Sequence, residues 1–170
     1  ELAEATGFNA ATIKVAMDTI GKGLTPSEFG LYLMVAHRTG LDPFAKQIYA
    51  IKRKNLQADG TYKEVMVLQT GIDGFRSIGA RSKLFAGMEG PLWCGKDGVW
   101  HDIWTEDEHP YAAKVGIYLK GSNHPVWGIA KWREVCQVDS KGQPNKFWKT
   151  MPDNQIAKCA EAQAWRKAFP

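Results

Sequence analysis

An α+β fold is predicted for these 170 residues: a small mixed or antiparallel sheet with a β-hairpin, packed by helices. Three observations predict it. Residues 154–168 (NQIAKCAEAQAWRKA) hold neither glycine nor proline among many alanines, the composition of a helix. Thr25-Pro26-Ser27-Glu28 reads as a capping box with proline at the first helical position, so a second helix starts there. Residues 47–54 (QIYAIKRK) and 61–69 (TYKEVMVLQ) are rich in strand formers and flank Asp59-Gly60, which makes them a hairpin.

Taken in order, residues 1–23 are expected to form a helix with Ile13, Ala16, Met17 and Ile20 on a short apolar face, closed by Gly21 and Gly23. That face suits its own core or a neighbouring subunit. The helix from Thr25 carries Phe29, Leu33, Ala36 and His37 on one stripe, with Leu31, Met34 and Val35 beside it. Apolar nearly all round, it is expected in the core and ends at Gly40, with His37 a packing or cap residue. Leu41-Asp42-Pro43-Phe44 turns into the hairpin. There Lys46, Ile48, Ala50, Lys52 and Lys54 point one way, and Tyr49, Ile51 and Arg53 the other. Basic ends around an apolar middle suit the rim of a groove; an exposed hairpin tip is the alternative.

Residues 70–76 (TGIDGFR) lack the GxxxxGK[ST] of a phosphate loop. They read as a strand-to-helix exit, with Thr70 or Asp73 capping a helix through Lys83. Phe75, Ile78 and Gly79 would face inward, and Arg76, Arg81 and Lys83 outward. Glycine-broken strands follow at 84–98, then strands at 99–104, 111–120 and 125–131, a short helix at 132–138 and a mobile loop at 140–145. In the last helix Asp153 is the expected N-cap. Ile156, Cys159, Ala160, Gln163, Ala164 and Lys167 share one side; Lys158, Ala162, Trp165 and Phe169 share another, with Arg166 beside them. An alanine-lined inner side lets such a helix lie close to other backbone while it presents cations. An ordinary packed helix with solvated bases is the alternative.

The length suits one domain with a proper core, residues 1–170. Hydrophobic content of 44% and charged content of 24% are those of a soluble globular protein, and no apolar run is long enough for a membrane span. The chain starts at Glu1 without methionine and stops at Pro170 directly after a helix, so the ordered core of a longer protein is expected. Cys94, Cys136 and Cys159 are far apart with no CxxC, which suits a reducing cytoplasm.

Net charge is only +4, but its distribution is uneven. Residues 45–83 hold eight Lys or Arg against three acids, and residues 141–167 six against two. Between 89 and 109 the balance reverses, with one Lys against six acids. Two basic segments folded together would make a polarised surface that suits a polyanion. Solvated charged faces would give the same counts.

No catalytic constellation is present. His101, His109 and His124 are scattered without HxH, HExxH or paired-cysteine spacing, and there is no GxSxG. Glu106-Asp107-Glu108 has the look of a solvated loop. A bond-making enzyme is therefore not expected, and neither a metal nor another cofactor is implied. Among seven tryptophans, Trp148 and Trp165 directly adjoin Lys149 and Arg166, and aromatics beside cations suit stacking on bases or on sugar rings. Core packing is the default for any one of them.

Four blocks in this order carry a resemblance: GLDPFAKQIYAI at 40–51, GIDGFRSI at 71–78, NHPVWGIAKWREVC at 123–136 and FWKTMPDNQIAKCAEAQAWRKAFP at 147–170. Together they resemble the phage single-strand annealing proteins of the lambda Beta / RecT group, Bet type. The first 23 residues carry no part of it. The resemblance implies binding of single-stranded DNA and its annealing to a complementary strand without ATP, in phage-type homologous recombination. It also implies rings or helical filaments, a nascent annealed duplex as a further ligand, a partner 5′→3′ exonuclease, a place in the bacterial cytoplasm as a phage or prophage product, and a fold similar in outline to the Rad52 annealing core. The family's C-terminal, partner-contacting region is not expected within these residues. Carried over by position, Lys46, Trp148 and Arg166 match family positions of the DNA groove, and Lys158 lies within one residue of another. Lys52, Lys54, Arg76, Arg81 and Lys149 join them on the charge reading alone. The hairpin and the last helix are expected as opposite walls of the groove. A module that coats nucleic acid without annealing it shares the charge pattern. A tryptophan-rich glycan-binding module would bind regardless of salt, and the basic segments argue against it.

Overall fold

The computed structural model describes residues 8–170, so the part of the expected first helix on residues 1–7 lies outside the described residues. Helix α1 (Ala10–Asp18) starts at Asn9, whose side chain accepts from the Thr12 amide at 2.8 Å. Packing divides the chain into two units, one ending at Ser77 and the other running from Ile78 to Pro170. The fold is α+β, with six helices and two antiparallel sheets among the described residues.

In the first unit, α2 (Pro26–Thr39) has the predicted capping box: the Thr25 hydroxyl accepts from the Glu28 amide, and the Glu28 carboxylate accepts from the Thr25 amide at 2.8 Å. Gly40 ends it in the left-handed conformation that glycine adopts without cost, φ 64°. Its buried face is Phe29, Tyr32, Leu33 and Ala36, whereas Leu31 and Met34 are 47% and 45% exposed. The helix is thus one-sided, not core all round. Tyr32, which the sequence reading did not place on the stripe, buries its ring and donates its hydroxyl to the Ile48 carbonyl at 2.8 Å. Burial pushes its pKa up to about 12. The bond ties α2 to β1 (Ile48–Leu56), which pairs with β2 (Tyr62–Thr70) from Ile48↔Thr70 to Leu56↔Tyr62. The hairpin buries Ile48 at its base and is exposed at its tip.

Helix α3 (Ile72–Arg81) follows β2 directly and ends two residues earlier than expected. The second unit is built on a four-stranded sheet in the order β4-β3-β5-β6, made of β3 (Phe85–Cys94), β4 (Trp100–His101), β5 (Ala112–Leu119) and β6 (Val126–Lys131). Residues 84–98 thus hold one strand bent by register shifts at Phe85/Gly87 and Glu89/Leu92, rather than several. The strand expected at 99–104 shrinks to two residues, because the acid-rich segment after it has no alternating apolar pattern to pair.

One face of this sheet is covered by α6 (Pro152–Ala168). Ala113, Val115, Ile117 and Ala130 from the strands and Ile156, Ala160 and Ala164 from the helix are all at most 1% exposed. A Cβ on Gly128 would overlap the Ala160 carbonyl and the Ala164 backbone, so the alanine side lies against bare backbone as the sequence predicts. The helix begins earlier than expected, with Pro152 at N1 and Met151 as N-cap. Asp153 sits in the first turn, its carbonyl accepting from Trp93 Nε1 at 3.0 Å. Its buried face is also broader, adding Ala157, Glu161 and Trp165. Trp165 lies 3% exposed against Gly79 and Phe85 and donates Nε1–H to the Glu161 carboxylate at 3.0 Å. Two short helices complete the unit, α4 (Trp132–Val135) and α5 (Lys146–Thr150). The sequence reading left α5 without a helix; the Asn145 side chain caps it by accepting from the Phe147 and Trp148 amides.

Candidate nucleic-acid interface

In the first unit the turn after α2 and the start of α3 explain each other. Asp42 accepts from the Phe44 and Ala45 amides, and the Gln47 amide bonds back to the Asp42 carbonyl. This holds Lys46 at φ 59°, exposed, with its carbonyl turned under Gly71. A side chain on Gly71 would meet the Lys46 carbonyl and the Tyr49 ring, and one on Gly74 would strike the Gln47 carbonyl. The GLDPFAK and GIDGF blocks are therefore two sides of one close backbone approach that presents Lys46.

Lys52 is engaged. Its ammonium donates to Glu28 Oε1 at 2.8 Å, and that bond, with the Thr25 amide, lowers the Glu28 pKa to about 2. Lys54 is exposed near the tip, opposite Glu64. Arg53 donates to Gln69 at 3.3 Å. Arg76 is on the exposed side of α3, where Asp73 lies 3.3 Å from its guanidinium.

In the second unit Arg81 and Lys83 are exposed where α3 ends, Lys83 with φ 58°. On α6 both Lys158 and Arg166 face solvent. Lys167 is exposed as well, and it also donates to the Trp127 carbonyl at 2.9 Å, which ties the helix to β6. Cys159 beside them has its pKa raised by burial, an effect the Arg166 charge opposes. Lys149 is exposed on α5, close enough to Asp139 to help hold that carboxyl low, after the Gln143 and Lys141 amides.

Trp148 is 4% exposed, its ring packed edge-on to Trp132 at 5.1 Å. Trp132 in turn stacks on His109 at 3.8 Å. In this conformation Trp148 is a packing residue, and so is Trp165. The exposed aromatic is the neighbour, Phe147, at 60%. Helical spacing alone does not tell 147 from 148, because α5 is too short to show a period.

The sequence reading missed one further arrangement. On β5 the Lys114 ammonium lies between the rings of Trp100 and Trp127, at 4.5 and 4.7 Å from their centroids. The alternation of β5 was the available signal, since it sets Lys114 on the face opposite Ala113 and Val115. Among the described residues no group of three or more His, Cys, Asp or Glu is placed to hold a metal, and no helix is long and apolar enough to cross a membrane. Burial raises the pKa of all three free thiols.

Comparison with known proteins adds two findings. A family model described as RecT family matches residues 6–170. Recombination protein bet of Escherichia phage lambda is 25% identical over 179 residues, an alignment covering 99% of this chain. The chain spans 59% of that relative's length.

Proposed function

The chain belongs to the RecT family, and from that premise we propose that it binds single-stranded DNA and anneals it to a complementary strand without ATP, as part of phage-type recombination. The observation that carries this reading is the family match over residues 6–170, joined to the way two of its blocks fold together to present Lys46. Support also comes from the relative in phage lambda, whose name assigns it to recombination.

The mechanism needs no bond-making chemistry. Exposed Lys46 and Lys54 in the first unit, and Lys149, Lys158 and Arg166 in the second, hold the phosphate backbone irrespective of sequence. Arg76 and Arg81 add to the same charge, and Lys52 contributes where a phosphate displaces Glu28. Trp148 supports α5 from beneath. Held by its phosphates, the strand keeps its Watson–Crick edges open to sample a second strand, and base pairing supplies the driving force. Both units act here as one DNA-binding domain. Assembly with further copies into a ring or filament, retention of the nascent duplex, cooperation with a 5′→3′ exonuclease and residence in the bacterial cytoplasm belong to the same proposal.

The test adds two complementary dye-labelled oligonucleotides one after the other, without nucleotide, across a salt series. Acceleration over protein-free strands, lost as salt rises, is the expected result. Binding of the first strand with slowed pairing would make the protein a protective coat instead.

A further inference from the structure

The four-stranded sheet has a second face, turned away from α6, and its residues are not those of a solvated surface. The register puts Leu92, Lys114 and Ile129 side by side across β3, β5 and β6, with Glu89, Gly116 and Trp127 in the next row. Trp100 on β4 pairs with Cys94, diagonal to Lys114. Gly116 leaves room for the Trp127 ring, which a Cβ there would meet at 3.1 Å. Lys114 thus rises between two half-buried indoles, and Ile129 beside it is 45% exposed.

Lys114 has three N–H donors and no hydrogen-bond acceptor assigned to it among the described residues, nor a carboxylate within 4.0 Å. The carboxylate of its own face, Glu89, is engaged by the Tyr118 hydroxyl at 2.7 Å. Ring quadrupoles orient an ammonium but leave its net charge in place. A cation held in this way suits an anion, and the indoles beside it are the kind of group that suits a planar base. A phosphate linked to bases has both features.

We propose that this face is a nucleotide subsite, in which Lys114 holds a phosphate of a single DNA strand while Trp100 and Trp127 stack on its bases. It rests on the functional reading above and is separate from the cations named there. On an open antiparallel sheet, aromatic rings of this kind hold bases without regard to sequence.

The experiment cross-links the full chain to an oligothymidylate carrying 5-iododeoxyuridine and maps the modified peptides by mass spectrometry. Cross-links in the peptides bearing Trp100 or Trp127 are expected. Lys114→Gln, verified as folded by its circular-dichroism melt, should weaken binding and cross-link yield by about tenfold at low salt. An oligonucleotide that binds but cross-links elsewhere would overturn the subsite. Cross-links at the tryptophans that persist unchanged in Lys114→Gln would overturn the role given to Lys114. If the wild-type chain bound no oligonucleotide at all, the functional reading itself would fall.

Discussion

Lys46 and Lys52 are six residues apart on the same basic stretch, and their surroundings set them different tasks. Lys46 sits exposed on a turn braced by Asp42 and by the glycines of the next block, while Lys52 is held at 2.8 Å by Glu28. If Lys46 holds a phosphate as proposed, reversing it to Glu removes that contact and adds repulsion, so DNA affinity at low salt should fall by about tenfold or more. Lys52→Gln should weaken binding less, since its charge is already paired. Fluorescence anisotropy with a labelled oligonucleotide compares the two; equal losses would mean that Glu28 releases Lys52 to DNA. The same ion pair sets a pH dependence. Glu28 has a folded pKa of about 2 against an ordinary 4.5, so its contribution to stability is complete above pH 4.5 and is lost as pH falls toward 2. Urea unfolding of wild type and Glu28→Gln should therefore differ at pH 6 and converge as the pH is lowered through that window.

Among the elements, α6 depends most on a residue outside itself. Gly128 lets the helix backbone lie against β6, and Gly128→Ala should cost about 1–3 kcal/mol, read from urea unfolding, because the Ala160 and Ala164 backbone cannot yield as a flexible side chain would. The alanine run made the close approach legible in advance, though not which strand would receive it. The capping box at Thr25, the hairpin, and the outward Arg76 and Arg81 were readable too, since each follows from local rules of caps, turns and alternation. What could not be read needed a partner distant in sequence. Tyr32 was missed as core because its hydroxyl is satisfied by Ile48, sixteen residues on. Trp148 looked like a stacking residue beside Lys149 until Trp132 closed over it. The bond from the exposed Lys167 to the Trp127 carbonyl, forty residues back, was likewise not readable. At the candidate site, the sequence could name the cations, but not which of them the fold would engage, as it engages Lys52 with Glu28.

For the whole molecule the charge pattern makes a quantitative claim. Lys46, Lys54, Lys149, Lys158 and Arg166 are all exposed and are drawn from both basic segments. If each neutralises one phosphate of a single strand, five contacts at about 0.7 counterions apiece give a slope near −3.5 for log affinity against log salt, per protomer. Binding of oligothymidylate measured over a salt series tests this directly. Replacing Lys158 by Gln should flatten the slope by about 0.7, whereas Gly128→Ala, if still folded, should leave it unchanged. The two variants separate loss of a contact from loss of structure. A slope near −1 would mean that most of these cations stay solvated when DNA binds, and the presence of exposed cations in both units would then have no part in holding the strand. A slope near −3.5 with similar affinity for oligothymidylate and oligodeoxycytidylate would fit a protein that holds phosphates and leaves the bases to choose their partner, the condition annealing requires.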